Sequence, residues 1–414
     1  MASRPVVPTV SRPWRWAVLG AAFLSGLQLS TATAQQVPAP KTVVTGLAFP
    51  TGIAFGPDGT MYVNERSGRV RVVRKGELES QPLAEIGTST SGEQGLLGIT
   101  VAPDLKRDAA VYVFASDETG GENRVYRVPL DGSGAQLIIS GLPASSYHNG
   151  GGVAFIDDGS LLVTNGERHE AEIAQDPQAL GGKVYRYTAA GRVPRDNPFG
   201  DSPAYAIGLR NPFGLAIDPI SGAPFVTENG PSSHDEVNRI EAGANYGWPV
   251  TSGPAPGAPP GLVGTYHDPL LDYPDIIVPT GLAFADPVNA RPEFAGDLFF
   301  GAYSEGSIHR VRLDADRRTA LSDEIFLETP EPVALAWGPE GLYYSTPDAV
   351  KVVPIARAGS SATDPTTEAD ERSPEAAVPQ PLSEPVSGGV PWTLLVPMVA
   401  VIGAALILLS RRYM

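Results

Sequence analysis

Between residues 41 and 358 apolar residues come in short runs broken by turn residues, and one pattern returns six times. A small residue, an aliphatic, a small residue and an apolar residue are followed by Pro or Asp with Gly, then by a second apolar run. The copies are Gly52-Ile53-Ala54-Phe55, Gly98-Ile99-Thr100-Val101, Gly152-Val153-Ala154-Phe155, Gly214-Leu215-Ala216-Ile217, Gly281-Leu282-Ala283-Phe284 and Ala334-Leu335-Ala336-Trp337. Their aliphatic positions lie 46 to 67 residues apart, somewhat beyond the roughly 40–50 residues of common propeller blades, as loops inserted on one face would cause. Third strands are predicted at residues 69–73, 125–128, 183–187 and 308–312, and no stretch sustains a helical period. Six units of about four strands predict an all-β fold, a six-bladed β-propeller whose small innermost residues let the blades crowd the axis. Residues 42–49 are expected to add a closing strand to the last blade. A pair of β-sandwiches is the alternative architecture.

The ends read differently. Residues 1–34 carry Arg4, Arg12 and Arg15, an apolar run over 17–27 and then Ala32-Thr33-Ala34, the layout of a secretory signal peptide with a small-x-small cleavage site. An uncleaved anchor is the alternative, although the run is shorter than the roughly 20 residues a span needs. Residues 391–410 hold no charge and precede Arg411-Arg412, which predicts one transmembrane helix with its basic flank inside. Residues 359–389, rich in Ser, Thr, Pro and Glu, predict a disordered linker. The expectation is an exported propeller held at a membrane surface outside the cytoplasm; a sorting signal that is later cut off has the same layout.

Composition narrows the chemistry. Gly and Pro make up 87 of the 414 residues, far above the roughly 12% of average usage, which suits many short elements joined by turns. The absence of cysteine excludes disulfides, a thiol nucleophile and Cys-ligated metals. Formal charge is −16, and because the charges of leader, linker and terminal arginines cancel, all of it belongs to the predicted propeller. Nothing resembles a basic face for nucleic acid.

Propellers place their sites at the channel mouth, so residues flanking innermost strands are the candidates. His148 stands in Tyr-His148-Asn149-Gly150-Gly151-Gly152 just before the third innermost strand, where it is either a general base or a structural histidine in a tight turn. Glu167, at the end of the paired strand, is a candidate to orient it. Arg210-Asn211 opens the next repeat as a clamp for an anionic or carbonyl-bearing ligand, or as an ordinary ion pair. The turn Glu228-Asn229-Gly230-Pro231 and the nearby Glu236 and Asn245-Tyr246 offer hard oxygens that suit calcium. His234 and His267 lack metal-ligand spacing with another His, which argues against zinc. His169 and His309 are expected at the surface.

Taken in order, Glu93-Gln94-Gly-Leu-Leu-Gly98, His148-Asn-Gly-Gly151, Leu180-Gly-Gly-Lys183, Gly208-Leu-Arg210-Asn-Pro212, Asn229-Gly-Pro231 with Asp235-Glu-Val-Asn238, and Asn245-Tyr-Gly-Trp-Pro249 resemble the pyrroloquinoline quinone (PQQ)-dependent soluble sugar dehydrogenases, the glucose/sorbosone dehydrogenase family. The likeness covers roughly residues 41–355. It implies a six-bladed propeller that oxidises the anomeric carbon of an aldose by hydride transfer to PQQ, with a monosaccharide substrate and an electron acceptor outside the cytoplasm. By the same likeness His148 is the base and Glu167 its acidic partner, Arg210, Asn211 and Lys183 contact PQQ, and Gln94 contacts substrate. Carbonyls of Gly230 and Pro231 hold the catalytic Ca2+, and Glu236 with the Tyr246 carbonyl a second one. The chain departs from the family where members place Arg: it reads Glu328-Thr-Pro-Glu331-Pro332 before the last innermost strand, Gly301-Ala-Tyr-Ser-Glu305 in the fifth blade, and Gly152 after the His motif. The three carboxyls of PQQ therefore need Lys183, Arg210 or another loop for countercharge. Two other readings compete: a propeller that binds carbohydrate or protein without catalysis, and a calcium-dependent lactonase-type hydrolase, which needs side-chain carboxylates around an axial metal.

Overall fold

The computed structural model describes residues 37–357. Those residues form six antiparallel sheets around an axis, confirming the propeller. Blade 1 is Pro50–Phe55, Met61–Glu65 and Arg69–Arg74, edged by the short Glu77–Leu78 and Ala84–Glu85. Blade 2 runs Leu96–Val101, Ala110–Ser116, Glu122–Pro129 and Gln136–Pro143, and blade 3 Val153–Phe155, Ser160–Asn165, Lys183–Thr188 and Ala204–Ala206. Blade 4 is Pro212–Ile217, Pro224–Glu228, Asp235–Arg239 and Leu271–Tyr273; blade 5 is Pro279–Phe284, Leu298–Ala302, Ser307–Leu313 and Ala320–Glu328. Blade 6 is Leu335–Gly338, Gly341–Thr346 and Ala349–Val353, and its fourth strand is Lys41–Thr45, which pairs antiparallel with Ala349–Val353. The closing strand thus starts one residue earlier and ends four earlier than expected. One short 3-10 helix, Ala171–Gln175, interrupts blade 3.

All six copies of the repeated pattern lie on innermost strands. Gly52, Gly98, Gly152, Gly214, Gly281 and Ala334 together line a narrow axial cavity of about 90 Å³, far smaller than the ~300 Å³ at which ligand pockets begin. Crowding explains the small residues: a Cβ on Gly98 would lie 2.1 Å from the Gly151 carbonyl oxygen of the next blade. Hydroxyls stitch neighbouring blades as well, with Thr51 donating to the Leu96 carbonyl at 2.6 Å and Thr227 to that of Thr280 at 2.7 Å.

Second strands are sandwiched between blades, so Ala110–Ser116 and Ser160–Asn165 are buried at every position. Between blades 2 and 3, Tyr112, Phe114, Leu161 and Tyr185 form one apolar cluster; Phe299, Leu342 and Tyr344 join blades 5 and 6. Each such side chain contributes about 1.5–3 kcal/mol through burial. The predicted leader, linker and transmembrane helix lie outside the described residues. Among the described residues no helix is long and apolar enough to cross a membrane.

Candidate functional site

In a blade's first hairpin, the start of the innermost strand and the end of its partner lie at the same end of the sheet. The rule puts Arg66, Glu93, His148, Glu167, Arg210, Glu228, Tyr303 and Glu331, each flanking a first or second strand, on one mouth of the channel.

His148 sits in a rigid turn. Its backbone is left-handed, with φ at 58°, and a buried amide ladder holds the loop: Asn149 donates to the Ser145 carbonyl at 2.8 Å, and Asn123 donates to the Asn165 side chain at 2.9 Å. The His148 ring Nδ1 lies 2.8 Å from Glu167 Oε1, both residues nearly fully buried. Burial works to raise the Glu167 carboxyl; the His148 hydrogen bond and positive charge on His148, Arg210 and His169 outweigh it, and the net shift is downward. An ionised Glu167 fixes the proton on Nδ1 and leaves Nε2, which has no protein partner among the described residues, as an acceptor. Glu167 Oε2 is buried and also unpartnered.

Glu93, unforeseen in the sequence, joins three blades. Its Oε2 accepts the His148 backbone N–H at 2.9 Å and the Asn211 amide at 3.4 Å, while Asn211 Oδ1 accepts the Gly150 N–H at 3.0 Å. Gln94 instead turns away: its amide lies between the Ser89 hydroxyl at 2.6 Å and the Gly120 carbonyl at 2.7 Å, and the residue is 2% exposed. The side chain of Gln94, expected as the substrate contact, is thus held in the interior of the blade 2 loops in this structure. Lys183, expected as a cofactor contact, is turned inward as well. Its Nζ donates to the carbonyls of Ile173 at 2.6 Å and Gly181 at 2.7 Å, it is fully buried, and burial pulls its pKa down to about 7.

Arg210 lies against the Asn229-Gly230 turn. Nη1 donates to the carbonyls of Asn229 at 2.8 Å and Gly230 at 2.9 Å, and the guanidinium lies 5.6 Å from the Trp248 ring. Beneath it Glu228 Oε1 accepts the N–H groups of Arg210 and Asn211, and Oε2 is buried without a partner. Complete burial drives the Glu228 carboxyl well above its ordinary value, more than those N–H groups and Arg210 can offset. Asp235 sets the adjoining turn, accepting from Gly230 N–H and from Ile277 and Val278 N–H, each at 2.8 Å. Tight turning leaves room only for glycine at 230, where a Cβ would meet the Ser233 carbonyl oxygen at 2.2 Å.

Arg210, Gly230, Glu236 and Tyr246 line one small cavity of about 10 Å³, the size for a single water or ion. Glu236 accepts from Gly253 N–H at 2.9 Å and the Asn238 amide at 2.8 Å; burial, with the charge of Asp272, pushes its carboxyl up to about 7. Pro231 is exposed at the rim. Among the described residues no three His, Asp or Glu side chains close on a point that could hold a metal. A cation here would be held largely by carbonyls, and the orphaned Glu228 Oε2, with Glu236 lining the same cavity, fits a site that takes positive charge.

On the blade 6 side, Glu331 adopts a left-handed backbone with φ at 50°. Burial and then the Glu331 carboxylate push the Tyr303 hydroxyl up to about 12, against the pull of Arg66. Arg66 was not foreseen. Its Nε donates to the Gln94 carbonyl at 2.9 Å and Nη2 to that of Thr90 at 2.9 Å, and it feels the charge of Glu93. The blade 1 loop thus supplies a cation on the side where the last blade supplies acid.

The glucose/sorbosone dehydrogenase family model matches residues 47–351. The chain belongs to the glucose/sorbosone dehydrogenase family. Escherichia coli aldose sugar dehydrogenase YliI is 29% identical over 328 residues, covering 73% of this chain and 88% of that protein. Among solved structures, a putative glucose dehydrogenase of Thermus thermophilus shares 35% identity with a TM-score of 0.68, covering 76% of this chain and 99% of its own. The PQQ-bound aldose sugar dehydrogenase of Streptomyces coelicolor shares 30% identity with a TM-score of 0.66, covering 75% and 95%. In this glucose/sorbosone dehydrogenase fold, His148, Glu167, Arg210 and Asn211 come together as the motifs imply, whereas His309, expected at the surface, is buried between two carboxylates.

Proposed function

We propose that this protein oxidises the anomeric carbon of aldose sugars with PQQ as hydride acceptor and calcium as assistant. The observation that carries the reading is the 2.8 Å contact of His148 Nδ1 with a buried, ionised Glu167, which leaves Nε2 free to take the proton of a substrate hydroxyl at neutral pH. Arg210 and Asn211 are the residues to hold PQQ, with Arg66 countering charge on the opposite side; the Gly230 and Pro231 carbonyls are those to hold calcium, and Glu236 with the Tyr246 carbonyl a second ion. Bound PQQ supplies a two-electron acceptor that side chains lack, and calcium supplies Lewis acidity toward it. Glu93 keeps the His148 turn in register, and the imidazolium formed on proton uptake is stabilised by Glu167. Lys183 and Gln94 have no place in this reading.

The test is titration of metal-stripped protein with PQQ and calcium, followed by dye reduction with a panel of aldoses and with His148→Gln as control. Saturable PQQ binding and aldose-dependent reduction, lost in the variant, are expected. Absence of both binding and reduction would overturn the assignment. The layouts of residues 1–34 and 391–410 support export and tethering by a transmembrane helix, with the electron acceptor outside the cytoplasm. Protease accessibility of the propeller on intact cells tests it.

A further inference from the structure

His169, exposed as expected, follows Glu167 by two residues, and its ring lies against that of His148, centroids 4.0 Å apart and planes tilted by 34°. The Tyr147 and His169 rings also meet edge-to-face, centroids 5.9 Å apart and planes at 78°. Arg168 and His169 both adopt left-handed backbones, with φ at 50° and 66°, next to His148 at 58°. Three non-glycine residues in that region at one spot is a costly arrangement that surrounding structure must impose. Here the Glu167 carbonyl accepts the Glu170 N–H at 2.9 Å and closes the turn that carries His169 inward. Although largely exposed, the ring covers one face of an almost fully buried base.

We propose that His169 is a positioning residue for His148: while neutral it presents its π face to the imidazolium that forms when His148 takes a proton, and once protonated it opposes that charge. The inference rests on the dehydrogenase reading for its catalytic consequence, but not for the coupling itself. Facing His169 are His148 and Tyr147 from the blade 3 entry, Glu167 on its own turn, Glu93 from blade 2 and Arg210 from blade 4; Arg168 and Glu170 pair with each other at 2.8 Å. Burial, then charge on His148, lowers the His169 pKa against the opposing pull of Glu167 and Glu93. Glu167 pairs with His148 Nδ1 and not with His169, and the His169 ring, its pKa lowered, stays neutral until acid conditions. A cation over an aromatic ring is favourable by an amount that matters at a titrating site.

With five histidines in the chain, ring resonances of labelled protein without cofactor can be assigned by single substitution. Two unit charges 4 Å apart under water-like screening interact by about 0.7 pH unit, so His148→Gln should raise the His169 pKa by at least about that much. His169→Ala should lower the His148 pKa by about 0.5 unit, the worth of an exposed cation–π contact, and His169→Phe should restore most of it. In reconstituted enzyme His169→Ala should reduce kcat a few-fold at unchanged KM, with Phe again recovering the loss. A His169 titration indifferent to His148→Gln would overturn the proposal. So would a His148 titration indifferent to His169→Ala. The titrations need no PQQ, so absence of sugar oxidation would count against the function and leave the coupling standing or falling on its own result.

Discussion

Glu93 Oε2 accepts the backbone N–H of His148 at 2.9 Å, so a carboxylate from one blade fixes the turn that carries the base of the next. Glu93→Ala leaves that N–H without its partner in a nearly buried turn, a loss of about 1–3 kcal/mol. We expect kcat/KM to fall roughly 5- to 100-fold, with PQQ affinity changed far less. Glu93→Gln, which keeps an acceptor oxygen, should retain much more. Equal losses in both variants would show that charge, and not the hydrogen bond, is what matters.

His148→Gln is expected to lower kcat by about 10²- to 10⁴-fold, the usual contribution of a general base. Glu167→Gln keeps a contact to Nδ1 but removes the charge that stabilises the imidazolium. Its pH–rate profile should shift its acidic limb toward lower pH, because the imidazolium loses the charge that stabilises it. Steady-state rates from pH 5 to 9 decide between that shift and a simple loss of amplitude.

His309 lies between Asp323 at 2.8 Å and Glu305 at 2.7 Å. Burial works to lower its pKa, but the two carboxylates prevail and raise it above 6.5. Stability from this group is therefore complete below the ordinary imidazole value and is lost as pH rises through the raised one. Melting temperature of the wild type should decline over that alkaline-going window, and His309→Gln should remove the decline. A parallel slope in both proteins would assign it elsewhere.

Arg317 forms a two-pronged pair with the fully buried Asp218, at 2.9 and 3.0 Å, linking blade 5 to blade 4. Arg317→Met strands a buried carboxylate, and about 3–5 kcal/mol of unfolding free energy should disappear. Adding Asp218→Leu should return a good part of it, as read by urea denaturation.

Calcium added to metal-stripped protein should raise the unfolding free energy by RT ln(1 + [L]/Kd), about 2.7 kcal/mol at a hundredfold excess over Kd, and the melting temperature with it. Glu236→Ala should remove part of that gain, since Glu236 lines the ion-sized cavity beside Gly230 and Tyr246. Magnesium, smaller and more demanding in geometry, should substitute poorly.

The architecture was legible in the chain because the axis imposes one local requirement six times: Gly52, Gly98, Gly152, Gly214, Gly281 and Ala334 stand where backbones nearly touch. His148, Glu167, Arg210 and Asn211 were legible because their places at strand ends decide which mouth they reach. Facing within a turn was not. Glu93 and Gln94 are neighbours, and a shift of one residue reverses which side chain looks at the site. Lys183 looked like a cofactor cation until its strand proved to be buried within the blade, where carbonyls of Ile173 and Gly181 take its protons. His169 and His309 carried no signal, since their partners come from other turns and strands that only the folded ring brings near.

The pairing of Lys41 with Val352 and Thr45 with Ala349 has a kinetic meaning. These hydrogen bonds join the first and last strands of the propeller, so the ring stays open, with the edges of Lys41–Thr45 and Ala349–Val353 bare, until nearly the whole propeller has emerged. Contacts of such long sequence separation form slowly, and open edges invite association with other chains. Shielding of the nascent chain, rather than the stability of any one blade, should therefore limit how much active protein a cell can make.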